Sequence, residues 1–80
     1  MYPNPTNGNV AVNISLNEEV NGQLYITDMN GRVLKTAFDN QILRAGDSRH
    51  QLATESLSKG IYLVHLIVGG ERHVKRLVKQ

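Results

Sequence analysis

The stretch from Gly60 to Lys79, GIYLVHLIVGGERHVKRLVK, constrains the fold of this chain more than any other. Ile61 to Val68 is crowded with β-branched and aromatic residues, which suit a pleated surface better than a helix. Gly69-Gly70 supplies the positive φ angles that a two-residue hairpin loop requires. Glu71 to Lys79 then returns with Arg72, Lys75, Arg76 and Lys79 interleaved among Val74, Leu77 and Val78. The pair reads as a β-hairpin with one buried strand and one edge strand. Counting pairs across the turn sets Leu66 opposite His73 and His65 opposite Val74. One face then carries Tyr62, Val64, Leu66 and Leu77, which are expected to close a core. The other carries Ile61, Leu63, Ile67, Val74 and Val78. A two-layer sandwich needs only one buried face per sheet, so this second face is more apolar than solvent requires. It is expected to be covered by the N-terminal loop or to meet a partner.

The remaining chain repeats the strand signal. Tyr2-Pro3-Asn4-Pro5-Thr6-Asn7-Gly8 carries two prolines that deny ladder donors and an Asn-Gly turn, so it is an ordered loop. Val10, Val12, Ile14 and Leu16 alternate with Ala11, Asn13 and Ser15, the period of a strand with one face on a core. Asn17 to Gly22 reads as a connection into a second strand, Gln23 to Thr27. Asp28-Met29-Asn30-Gly31 is a turn in which Asp28 bonds its own downstream backbone and Gly31 takes the left-handed conformation. Arg32 to Phe38 returns as a third strand. The pattern weakens from Asp39 to Asp47 and is read as a short strand or an irregular crossover. Ser48 to Leu52 is a further candidate strand, and Ala53 to Lys59 a loop or single helical turn whose Leu57 plugs the core. No segment shows apolar residues at helical spacing over ten or more positions. Six or seven short strands separated by turns argue for an all-β, immunoglobulin-like sandwich with antiparallel, Greek-key connections.

Eighty residues make one small domain, near the lower limit for folding without staples. With no cysteine there are neither disulfides nor thiolate metal sites, and the redox compartment stays open. A net charge of +2 is too slight for a nucleic-acid partner. No apolar run approaches the roughly 20 residues of a membrane-spanning helix, and MYPNPTNG lacks the charged and apolar regions of a signal peptide. Direct membrane insertion is not expected.

The residues that could carry chemistry are sparse. His50, His65 and His73 are the histidines, and the last two fall on opposite hairpin faces, which argues against a metal site. Asp47-Ser48-Arg49-His50 holds the three residue types of a hydrolytic triad, but a triad is a spatial arrangement and neighbouring strand residues alternate faces. Gly69-Gly70 is followed by neither a helix nor the Gly-Lys-Ser/Thr of a phosphate loop. The chain reads as non-enzymatic, with no cofactor.

Four pieces of the sequence, taken in order, carry a family resemblance: Tyr2-Pro3-Asn4-Pro5-Thr6-Asn7-Gly8, then Leu24 to Val33 (LYITDMNGRV), then Leu57 to Val64 (LSKGIYLV), and Lys75-Arg76-Leu77-Val78-Lys79. Together they resemble the C-terminal sorting domain (type A) of cargo proteins exported by the type IX (Por) secretion system of Bacteroidetes. The region from Asp39 to His50 contributes nothing to the match. The resemblance implies a sandwich domain at the C-terminus of a larger secreted precursor. The resemblance further implies that the domain is recognised by outer-membrane export machinery, and in the family it is often removed by a sortase-like peptidase as the cargo is attached at the cell surface. Cleavage in the family falls just upstream of the sorting domain, so this stretch is not expected to contain the site. The positions it marks for recognition are Pro3, Asn4, Pro5, Gly8, Asp28, Gly31, Arg32, Gly60, Tyr62, Gly70, Lys75, Arg76 and Lys79.

Each of these has a plainer reading beside it. Pro3, Asn4, Pro5 and Gly8 make a rigid lead-in loop, and Tyr62 packs its ring in the core while its hydroxyl finds a partner. Lys75, Arg76 and Lys79 protect an edge strand from edge-to-edge pairing, or form a charged docking strip, or both. Exchanging them for glutamate is expected to leave folding nearly intact. The competing functions are an accessory adhesive or carbohydrate-binding sandwich, which would present a row of exposed aromatics, and a plain immunoglobulin-like spacer. A monomer or a weak edge-mediated dimer is expected.

Overall fold

A computed structural model describes residues 10–80, and these form six β-strands and no helix. β1 (Val10–Leu16) pairs with β4 (Gly46–Leu52) in one sheet. β2 (Val20–Thr27), β3 (Val33–Leu43), β5 (Gly60–Val68) and β6 (Glu71–Lys79) make a second sheet in the order β3-β2-β5-β6. All four pairings are antiparallel. The first four strands therefore stand as 4-1 in one layer and 2-3 in the other, a Greek-key order folded across the gap between layers. This is the small immunoglobulin-like sandwich read from the sequence, with six strands among the described residues. The lead-in bearing Pro3, Asn4, Pro5 and Gly8 lies outside them.

The core follows the alternation that the sequence announces. Val10, Val12 and Ile14 of β1 meet Leu24 and Ile26 of β2, Leu52 of β4, Tyr62 and Val64 of β5 and Leu77 of β6. Leu57, from the β4–β5 loop, packs against this cluster as expected, and its amide bonds the Thr54 carbonyl at 3.1 Å to close a turn. Both glycines of the β5–β6 turn have positive φ, 56° at Gly69 and 82° at Gly70, so the two-residue loop is of the type whose twist matches its strands.

Three boundaries differ from the sequence reading by more than a single residue. β2 begins at Val20, not Gln23, and so includes the Asn21-Gly22 pair read as the end of a connection. Gly22 is there for room: a Cβ on it would stand 2.6 Å from Leu43 Cδ1 and 3.3 Å from the Ile67 carbonyl oxygen. β4 begins at Gly46, two residues before Ser48. β3 runs on to Leu43, through the region whose pattern fades. The fading has a cause. Phe38 and Leu43 are both buried, yet they are an odd number of residues apart, which in a regular strand would put them on opposite faces. The register slips between Gly22↔Gln41 and Leu24↔Phe38, and Asn40 within that slip has φ 51°. One extra residue in a bulge restores the parity, and asparagine tolerates the left-handed conformation it needs.

Two strands do not fully cover four. Val12, Ile14 and Leu16 of β1 face Val64, Leu66 and Val68 across an open trough of about 260 Å³, with His73 and Lys75 of β6 also lining it. β6 is consequently half in the sandwich. Leu77 and Lys79 near its end are buried, and Glu71 through Arg76 are exposed.

Candidate functional site

The Asp28–Arg32 motif builds the β2–β3 turn. Asp28 Oδ1 accepts hydrogen bonds from the amides of Asn30 and Arg32, each at 2.9 Å. The Asp28 amide donates to the Arg32 carbonyl at 3.0 Å, and the Gly31 amide donates to the Asp28 carbonyl at 3.1 Å. Gly31 takes φ 91°, a conformation costly to any residue with a Cβ. Arg32 enters this network through its backbone, and its side chain is exposed.

The terminal hairpin has the register counted from the sequence, Leu66 opposite His73 and His65 opposite Val74. Its inner face carries Tyr62, Val64 and Leu77 in the core with Leu66 packed partly against them. The Tyr62 hydroxyl donates to the Ser58 carbonyl at 2.5 Å, the partner that a buried tyrosine requires. Gly60 opens β5 opposite Lys79, with the Tyr62 ring 3.8 Å from where a Cβ would stand.

The tail cations do not form the single strip that their closeness in sequence suggests. Neighbouring strand residues alternate faces, so Lys75 and Lys79 point to the inner side with Leu77, and Arg76 points out. Lys79 is only 8 % exposed, and its ammonium donates to the Thr54 carbonyl at 2.9 Å. It ties the end of β6 to the β4–β5 loop, which Tyr62 holds through Ser58. The expectation that exchanging all three for glutamate spares the fold is corrected for Lys79, because a carboxylate there would face a buried carbonyl oxygen. Sequence reasoning missed this anchor because its acceptors are backbone carbonyls, which carry no residue identity.

The outer hairpin face holds Ile61, 46 % exposed, and Val74, 44 % exposed, with Leu63, Ile67 and Val78 half-buried beside them. Arg72 and Arg76 stand on the same face of β6, and its β5 and β6 residues include no carboxylate. At its centre His65 is buried, and its ring stacks on Tyr25 with centroids 4.7 Å apart and planes 9° from parallel. Arg72 Nη1 donates to His65 Nδ1 at 3.0 Å and approaches the Tyr25 hydroxyl at 3.4 Å. Guanidinium can only donate, so Nδ1 is the acceptor and the ring proton sits on Nε2, which donates to Thr27 Oγ1 at 2.9 Å. Burial first, and then the neighbouring Arg72 charge, push the His65 pKa below its ordinary value.

Elsewhere the chemistry-bearing residues do not converge. Ser48 and His50, two apart and therefore on one side of β4, touch through Oγ and Nε2 at 3.0 Å. Asp47 faces the other way and accepts from Ser15 Oγ at 2.6 Å, so the three do not line up as acid, base and nucleophile. His50 instead tilts against Phe38. His73 lies across the sheet from His65, and among the described residues no three His, Cys, Asp or Glu side chains gather as metal ligands.

Compared with known proteins, the chain matches the secretion system C-terminal sorting domain family over residues 1–80, its whole length. No curated protein and no solved structure matches it. The match spans the lead-in, the Asp28–Arg32 turn and the terminal hairpin alike. The chain therefore belongs to the secretion system C-terminal sorting domains, the signals that direct cargo through type IX secretion.

Proposed function

We propose that this domain is a passive, non-catalytic signal at the C-terminal end of a larger secreted precursor, recognised through the outer face of its terminal hairpin. The observation that supports this reading is the composition of that face. Ile61 and Val74 are exposed, Arg72 and Arg76 flank them, and no side chain of β5 or β6 on that side is acidic. A receptor surface that fits it is apolar with a carboxylate rim. Cargo reaches it from the periplasm, crosses the outer membrane, and is then passed to sortase-like attachment machinery at the cell surface. Pro3, Asn4, Pro5 and Gly8 are proposed as a second contact. Asp28, Gly31, Arg32, Gly60, Tyr62 and Gly70 are proposed to act by shaping what the receptor meets, and Lys75, Arg76 and Lys79 are divided between the two faces. The domain works as a monomer or a weak edge-paired dimer.

An adhesive or carbohydrate-binding role finds less support. Phe38 and Tyr62 are buried and Tyr25 is committed to His65, so the described residues offer no row of exposed aromatics. Fusing the chain behind a periplasmic reporter in a bacterium with type IX secretion tests the reading. Export is expected, and retention in the periplasm would overturn it. The double variant Ile61→Asp, Val74→Asp, shown to be folded by circular dichroism, is expected to stay in the periplasm. Unimpaired export of that variant would remove the outer face from the proposal.

A further inference from the structure

The outer face holds a polar node that recognition by itself does not require. His65 is 9 % exposed and Thr27 only 2 %, although both lie on the side of the sheet that faces away from the core. Each imidazole nitrogen is occupied, Nε2 by the Thr27 hydroxyl and Nδ1 by the Arg72 guanidinium. The Tyr25 ring closes one flank of the imidazole. A second proton on this ring has one place to go, Nδ1, where Arg72 already points an N–H. Protonation therefore removes the acceptor of that hydrogen bond and sets two cations at hydrogen-bonding distance.

We propose that His65 is a proton-gated latch: neutral, it holds the Arg72 side chain down across the outer face of the sheet, and protonated, it releases it. The groups that face the ring fix the direction of the response. β2 contributes Tyr25 and Thr27, and β6 contributes Arg72 and Val74, with Arg76 the next cation along the same face. β3 lies beyond β2 and does not pair with β5. Glu71 precedes Arg72 but turns to the opposite side, where it meets His73 at 3.5 Å. On the same face Asp39 of β3 is held by the Gln23 side-chain amide, in the row of Ile67 and not of His65. Among the described residues no carboxylate contacts the ring, and the lowered proton affinity from burial and Arg72 agrees with that. Acid converts a face with one pinned guanidinium into one with a free guanidinium beside a new positive ring. The latch follows from this geometry and stands whether or not the face is the receptor contact.

Nitrogen NMR of the intact chain, from about pH 8 downward, reads the latch directly, because neutral tautomers, imidazolium and a restrained guanidinium are spectroscopically distinct. Three results are expected: an Nε2-protonated ring at the start, a His65 midpoint below the ordinary value of about 6.5, and loss of Arg72 restraint with that same midpoint. Arg72→Leu should raise the His65 midpoint, since one of the two causes of its lowering is gone. An Nδ1-protonated tautomer at the start, or an Arg72 signal indifferent to the His65 midpoint, would overturn the latch. Circular dichroism at each pH separates a local event from unfolding, and a His65 midpoint that coincided with global unfolding would also overturn it. Should Arg72→Leu fail to fold, the coincidence of the two wild-type midpoints decides the matter.

Discussion

The Tyr62 hydroxyl lies 2.5 Å from the Ser58 carbonyl oxygen, and Lys79, on the neighbouring strand, reaches the Thr54 carbonyl of the same loop at 2.9 Å. Two side chains at the base of the terminal hairpin thus hold the β4–β5 loop, which carries the chain back from the two-stranded to the four-stranded sheet. The hairpin's other end, at the Gly69-Gly70 turn, is held by backbone alone among the described residues, the Gly69 amide donating to the Asn21 carbonyl at 3.0 Å. The base of the hairpin holds the sandwich together, and exposed side chains of its upper half are available for contact.

Tyr62→Phe keeps the buried ring and removes only the hydrogen bond to Ser58. Its expected cost is about 0.5–1.5 kcal/mol. Tyr62→Ala also empties the core beneath the ring and should cost about 3–5 kcal/mol. Urea unfolding of the two variants measures the difference, and equal losses would show that the hydroxyl, not the ring, carries the contact.

The tail cations should separate by position. Lys79→Glu replaces the buried donor to Thr54 with a group that repels its carbonyl, and about 2 kcal/mol or more of stability should be lost. Lys75→Glu, on an exposed side chain four residues earlier, should change stability by about 0.5 kcal/mol or less. Chemical denaturation of the single variants checks both, and a severe loss from Lys75→Glu alone would overturn this division.

In the β2–β3 turn, Asp28→Ala deprives two amides of their acceptor and should cost about 1–2 kcal/mol. Gly31→Ala forces a Cβ into positive φ and should cost about 1 kcal/mol. Thermal melts of each variant are the measure. Export of either variant at a permissive temperature would show that the motif serves the turn and is not itself the contact.

Gly22→Ala should destabilise by about 1–3 kcal/mol, because the added methyl meets the buried Leu43 side chain and the Ile67 carbonyl. Pairing it with Leu43→Ala, which clears the space, should give a double variant less damaged than the sum of the two singles. Strict additivity would remove the close approach as the cause.

Stability should also depend on pH through His65. Its folded-state proton affinity lies below the ordinary one, so the unfolded chain binds the proton more tightly. The contribution of His65 is complete above the unfolded pKa of about 6.5 and is lost as pH falls toward the lower folded value, below which the loss stops. His65→Gln should flatten the slope of melting temperature against pH across that window, and an unchanged slope would assign it to other groups.

Much of this protein is legible in its sequence. Alternation in Val10–Leu16, the Gly69-Gly70 turn and the crowded apolar run after Gly60 determined an all-β sandwich and the register of its terminal hairpin, because strand parity and turn chemistry are local. The order of short motifs from the lead-in to the basic tail was enough to indicate the family. Tertiary structure decided the rest. Only the slip at Asn40 shows how Phe38 and Leu43 reach one core, since a bulge breaks the period on which sequence reading depends. Which cation is buried was settled by the side of β6 that each occupies and by a carbonyl at Thr54, an acceptor every residue possesses. His65 looks like a surface histidine in sequence, and becomes a buried, tautomer-fixed ring because pairing brings Tyr25, Thr27 and Arg72 around it from two other strands. Long-range contacts of this kind leave no periodic trace along the chain.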